Sequence, residues 1–416
     1  MEKQIITEIT GLPILNIFWK IMNKNKLKIP ILFFVLVYFN QGWMSMPDQA
    51  IYYLVKEYWG MGAGVVGFVG FITALAWYTK IVWGLLLDFR PLGKNSTKNY
   101  LTISYVFLLI LYAYIVFFGV SFFTLIFTGI LINCCIGIAD VANDKQMVIL
   151  EQKHKLNGKL QSIQWGSLGL AGLIVLLLGA LIAHLFSPPV ACRVAYGVAM
   201  IVPIVILRYL HTRFKEEKTV VQKINWKEIW VKLQDKQLLM CLLFIGCLQL
   251  CPSFGIALQS EARETLHVSK LFLGFLGATG TVLGISGYAL YYWKFHKYNM
   301  KKLLYFMIVF SAITNLFYLY IPNQWYLLGY NIAFGTVSGI TFLTLLAFFA
   351  KIVPKGNEAM FYAIITSLSN LCGRGGSWIG GVIYDVSNYH TNVWISTIFT
   401  LACLFIIPKL KISENK

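Results

Sequence analysis

Leu75-Ala-Trp77-Tyr-Thr-Lys80-Ile-Val-Trp-Gly84-Leu-Leu-Leu-Asp88-Phe-Arg90-Pro-Leu-Gly93-Lys94-Asn-Ser-Thr-Lys98 joins an apolar run to an acid and a short basic loop. The run carries a single lysine. A cation in the middle of a hydrocarbon-embedded helix costs about 3 kcal/mol or more, so Lys80 must face protein or water. With 58% hydrophobic and 12% charged residues, the chain is far below the charge content of a soluble domain. It reads as an all-α protein that crosses a membrane many times. The net charge of +18 would suit nucleic acid, but the basic residues lie in short loops between apolar spans and set orientation instead, so no nucleic-acid partner is expected.

Working outward, the apolar spans number twelve: 29–53, 63–87, 99–119, 121–144, 159–186, 190–210, 237–259, 270–293, 302–321, 324–350, 358–383 and 391–408. Each is long enough for a hydrocarbon core of about 30 Å. With the N-terminus inside, the 35 Lys and Arg residues all fall in cytoplasmic segments except Lys56, Arg193, Arg263, Lys270, Lys80 and Arg374. Both ends are then cytoplasmic, and we expect a multi-pass protein of the cell (inner) membrane, as a monomer. The expected organisation is a cytoplasmic N-terminal segment 1–28, which suits an amphipathic helix on the inner leaflet and carries no cleavable signal, a six-helix bundle 29–210, a cytoplasmic linker 211–236 with helix around Trp226–Val231, a second six-helix bundle 237–408 and a tail 409–416.

The eight cysteines fall mostly inside spans, without a C-x-x-C or paired histidines, so neither disulfides, a metal nor a cofactor is expected. No nucleophile–base set is legible, which argues against an enzyme. Gly62-x-Gly64-x-x-Gly67 spells a dinucleotide fingerprint, but no strand precedes it, and helix packing is the expected role. Spans one and seven each place proline beyond a glutamine, Gln41 to Pro47 and Gln249 to Pro252. Matching interruptions in two halves point to a transport site between them.

Helical spacing gathers the remaining polar residues into stripes. Span one aligns Gln41, Ser45, Asp48 and Tyr52; span two Thr73, Trp77, Lys80 and Gly84; span four Asn133, Gly137, Asp140 and Asp144. In span five Gln161 and Gln164 flank Trp165, and span eleven brings Ser367, Asn370, Arg374 and Ser377 together. Arg374 is the strongest candidate for an anion, because its planar fork matches a carboxylate or phosphate; the alternative is that Ser367 and Asn370 satisfy it internally. Asp140 is open between substrate or proton work and a salt bridge with Lys80. Asp48 and Asp144 lie nearer helix ends, where gating or solvation competes with proton coupling.

The loop pattern Gly84-x-x-x-Asp88 followed by Arg90 and Lys94 is similar to the gating loop between helices two and three of major facilitator transporters. Three segments extend the likeness: Leu75-x-Trp77-x-x-Lys80-x-x-x-Gly84-x-x-x-Asp88; Asp140-Val-x-x-Asp144 with Gly158-Lys-Leu-Gln161-Ser-x-x-Trp165-Gly166; and Glu358-Ala-x-x-Tyr362-Ala-x-x-x-Ser367-x-Ser369-Asn370-Leu371. Together they resemble the folate–biopterin transporter family of the major facilitator superfamily, from about residue 35 to 385. That resemblance implies alternating access by two bundles and proton-coupled movement of a folate or pterin. On that reading Arg374 and Lys80 engage anionic groups, Gln161, Gln164 and Asn370 read the ring with Gln41 and Gln249 nearby, and Trp77 and Trp165 stack on it. Asp140, Asp48 or Asp144 carries the proton. Other readings stay open: carriage of S-adenosylmethionine or a nucleoside-like compound, or a non-transporting sensor or lipid-handling protein.

Overall fold

A computed structural model describes residues 28–154, 159–214, 216, 226–354 and 358–411, so the expected N-terminal amphipathic helix lies outside the described residues. Among those described, nine helices are long and apolar enough to cross a membrane, being spans three to ten and span twelve. Spans one, two and eleven complete the twelve: the first two are interrupted, and the third is the helix Glu358–Val386 that carries Arg374. They form two six-helix bundles. Large apolar side chains such as Phe117, Phe118, Phe123, Tyr292 and Phe405 point outward, which is stable only against lipid. An internal apolar core fills each half, around Phe34, Leu101 and Ile136 in the first and Phe244, Phe348 and Ile365 in the second.

Spans one and seven break at the prolines the sequence marks, Pro47 and Pro252. Span one is helical over Lys28–Trp43, turns through residues 44–47, and resumes as Asp48–Tyr53 and a π-helical turn Leu54–Tyr58. Span seven runs Lys236–Leu250, opens over 251–254 and resumes as Gly255–Glu264. Backbone groups freed at membrane depth need partners inside the protein. At the first break short-range bonds supply them, including Ser45 N–H to Gly42 C=O and Asp48 N–H to Ser45 C=O. At the second, Ser253 N–H bonds Gly376 C=O of span eleven.

Span two was expected as one helix and is three: Ala63–Thr73, Leu75–Tyr78 and Lys80–Phe89. Neither proline nor glycine marks these kinks. Side chains stabilise them by taking backbone carbonyls: Thr79 Oγ1 donates to Leu75 C=O, Trp83 Nε1 to Ala76 C=O and Tyr78 OH to Phe71 C=O.

Span two packs on span eleven and span five on span eight, across the two bundles. A Cβ at Gly67 would lie 2.7 Å from Trp378 Cα, and Gly62 and Gly64 press on Asp385. The glycine triplet is a packing surface. At Gly84 an added Cβ would meet only Val141 at 4.0 Å, so close approach is not made there. The connecting segment contains the helix Trp226–Leu233.

We call the side bearing Lys28 and Lys411, the outermost described residues, the terminal face and the other the distal face.

Candidate functional site

Two polar groups lie between the bundles. The first is built on spans one, two and four. Lys80 Nζ sits 2.6 Å from Asp140 Oδ2 and 4.9 Å from the Trp77 ring centre, and Trp77 Nε1 donates to Asn133 Oδ1 at 2.8 Å. Gln41 Nε2 donates to the other Asp140 oxygen. One turn on, Asp144 Oδ1 accepts from Tyr38 OH at 2.7 Å, and Trp165 meets the Tyr38 ring edge-on at 6.5 Å. Tyr362 of the second bundle interacts electrostatically with both Lys80 and Asp144. Two acids therefore share one lysine, so the fully ionised trio carries one net negative charge.

The second group surrounds the helix breaks. Arg374 lies near the middle of the 29-residue helix Glu358–Val386, between Gly375 and Gly376, which pack on Leu250 and Cys251, and the Gly70 face of span two. Asp48, first residue after the break in span one, interacts electrostatically with Arg374. Asp48, Asn370 and Arg374 are all exposed, the last two although they lie mid-way along the helix Glu358–Val386. Arg374 makes no ion pair or hydrogen bond among the described residues. Neither Ser367, whose hydroxyl is buried without a partner, nor Asn370 satisfies it. Gln249 Nε2 donates to Ser369 Oγ at 2.8 Å, tying the second break to span eleven.

Gln164 is fully buried with both amide atoms unbonded, as is Asn143. The side chains of Gln161 and Asp88 fall outside the described residues. Arg90 is exposed, and its carbonyl accepts from Tyr100 OH at 2.6 Å.

A third group was not anticipated. At the distal face Glu57 accepts from Arg263 Nε at 2.8 Å and pairs with Lys270 at 3.2 Å, while Lys56 pairs with Glu264 at 2.9 Å. The Asp385 carboxylate accepts the first amides of span two, Ala63 N–H at 2.8 Å and Gly64 N–H at 2.7 Å, where the helix dipole favours an anion. These contacts join opposite bundles, so opening the distal face must break them. The available signal was the set of basic residues that depart from the loop pattern: Lys56, Arg263 and Lys270 belong to it. Glu57→Gln should favour the distal-open form, read as a longer distance between spin labels placed at the distal ends of spans one and seven. An unchanged distance distribution would show that the latch does not hold the bundles together.

The profile of the BT1 family matches residues 41–411. The chain belongs to the BT1 family. Among its relatives, the folate-biopterin transporter of Synechocystis sp. is 25% identical over 412 residues, covering 92% of this chain and 82% of that protein. Folate transporter 1 of Plasmodium falciparum is 21% identical over 410 residues, covering 88% and 74%. In three dimensions the BT1-family chain superposes on a D-xylose-proton symporter with a TM-score of 0.67 at 17% identity, over 91% of this chain and 95% of that one. The fold is that of the major facilitator superfamily, and this BT1-family chain is a multi-pass membrane transporter, not an enzyme.

Proposed function

We propose that the chain carries a folate or pterin across the cell membrane by alternating access, coupled to protons, with both termini cytoplasmic. The observation that carries this reading is the guanidinium of Arg374 at mid-span, which has no ion pair or hydrogen bond among the described residues and lies near the two helix breaks. An unsatisfied cation there favours an anionic substrate group, and the glutamate tail of a folate supplies carboxylates. The names of the relatives supply the substrate class. The amide of Gln164 offers a free donor and acceptor of the kind a pterin edge would use, once span five moves to expose it. Asn370 lies one helical turn from Arg374 and is assigned to the same ligand. Lys80 and Trp77 serve the acid cluster on this reading, and Trp165 is the aromatic surface left exposed for stacking.

Proton coupling is assigned to the acid cluster. Asp140 is in direct contact with Lys80 and Gln41, whereas among the described residues the hydrogen-bond partner of Asp144 is the neutral Tyr38 hydroxyl, with Lys80 acting on it electrostatically. One added proton on Asp144 brings the trio to zero charge, which a low-dielectric site favours. Uptake of labelled folic acid and of a simple pterin into proteoliposomes should rise with an inward proton gradient. In Asp144→Asn the uptake should persist but lose its response to the gradient. Retention of the full response would remove Asp144 as the coupling acid. Absence of uptake and of competition by either compound, in tight liposomes, would move the substrate to the adenosyl or nucleoside class.

A further inference from the structure

Four basic residues lie on the distal side against the general charge pattern, and three of them, Lys56, Arg263 and Lys270, meet acids. Arg193 does not. It is exposed and makes no ion pair or hydrogen bond among the described residues. It stands in the second turn of Pro188–Ala199, beside a half-open cavity of about 380 Å³ lined by residues of spans one, three, four and six.

The lining mixes two chemistries: the Arg193 guanidinium and the hydroxyls of Ser121 and Thr124 occur with the apolar groups of Leu54, Tyr114 and Phe118. No acid lines it. The backbone is shaped around the cation: Gly119 ends span three at φ +75°, and a Cβ there would lie 2.8 Å from Arg193 Nη2. The helix Phe122–His154 starts at the same edge, and its positive end adds to the local potential. Tyr114 and Phe118 are 40% and 74% exposed, so the apolar wall continues onto the surface that faces lipid.

We propose that this cavity is a binding site for an anionic phospholipid of the distal leaflet, with the headgroup phosphate on Arg193 and an acyl chain along Tyr114 and Phe118. Phosphate is matched by the guanidinium fork. The ammonium of a zwitterionic headgroup would find no acid in the cavity, so a headgroup such as glycerol is preferred to choline. A free inorganic anion would use the same cation but not the apolar wall. Leu54, which lines the cavity, opens the π-helical turn that carries Lys56 and Glu57. The lipid therefore lies against the segment that moves when the distal latch opens.

The purified protein in detergent would be titrated with phosphatidylglycerol, phosphatidylcholine or inorganic phosphate, reading bound lipid by native mass spectrometry and melting temperature in parallel. Phosphatidylglycerol should bind and raise the melting temperature, and Arg193→Gln should weaken its retention about tenfold. Without lipid, Arg193→Gln should melt like the parent, because no internal partner is lost. Equal retention by Arg193→Gln, or equal binding of phosphatidylcholine, would overturn the proposal. Stabilisation by inorganic phosphate alone, lost in Arg193→Gln, would overturn the lipid as occupant.

Discussion

Arg374→Ala should reduce folate uptake at subsaturating concentration by about a hundredfold, since truncating one partner of a charge pair formed with a bound carboxylate costs about 2–5 kcal/mol. The substitution should leave the fold intact. Arg374 is exposed and makes no hydrogen bond or ion pair among the described residues, so no buried group loses its partner. Arg374→Lys keeps the charge but loses the planar fork, and should recover only part of the uptake. Protein amount and monodispersity in detergent would be matched before comparison. Full uptake by the alanine variant would place the anion elsewhere. Full uptake by the lysine variant alone would leave the charge necessary and the bidentate geometry unnecessary.

The second large effect is on stability. Lys80→Ala leaves Asp140 buried with Gln41 as its remaining hydrogen-bond partner, and an uncompensated buried charge costs about 3–5 kcal/mol. Removing both partners takes away the buried Asp140 charge together with its counter-ion and leaves one acid, Asp144, hydrogen-bonded to Tyr38. Lys80→Ala/Asp140→Ala should therefore melt closer to the parent than Lys80→Ala does, even though more atoms have been deleted. Thermal melts of the two single variants and the double variant in the same detergent close the cycle. Additive losses would show that the 2.6 Å contact carries no coupling energy, and would return Lys80 to the substrate.

The two predictions separate residues that looked alike in the sequence. Lys80 and Arg374 are each a lone cation in an apolar span, and both were assigned to anionic substrate groups. The packing of span four against span two gives Lys80 an acid in direct contact, whereas Arg374 interacts with Asp48 electrostatically and makes no ion pair or hydrogen bond among the described residues. Periodicity can align Asp140 with Asp144 along one helix, but it cannot say which neighbouring helix they face. Tyr38 was missed for the same reason: an aromatic in an apolar run reads as core until its hydroxyl is seen against Asp144.

The sequence by itself determined the membrane class, the order of the spans, the breaks at Pro47 and Pro252 and the packing role of the Gly62, Gly64 and Gly67 face. These follow from local quantities: apolar length against bilayer thickness, a missing backbone donor and a missing Cβ. The kinks of span two escaped it, because they rest on Thr79, Tyr78 and Trp83 hydrogen bonds to carbonyls and not on a helix-breaking residue. Only the tertiary structure decided the distal latch. Glu57 and Arg263 are 206 residues apart, and so short an ion pair exists only where two bundles happen to meet. The physical reason is range. Hydrophobic burial acts on each helix as it enters the bilayer, whereas the pairing of a buried or interfacial charge depends on atoms a few ångströms away that another part of the chain supplies.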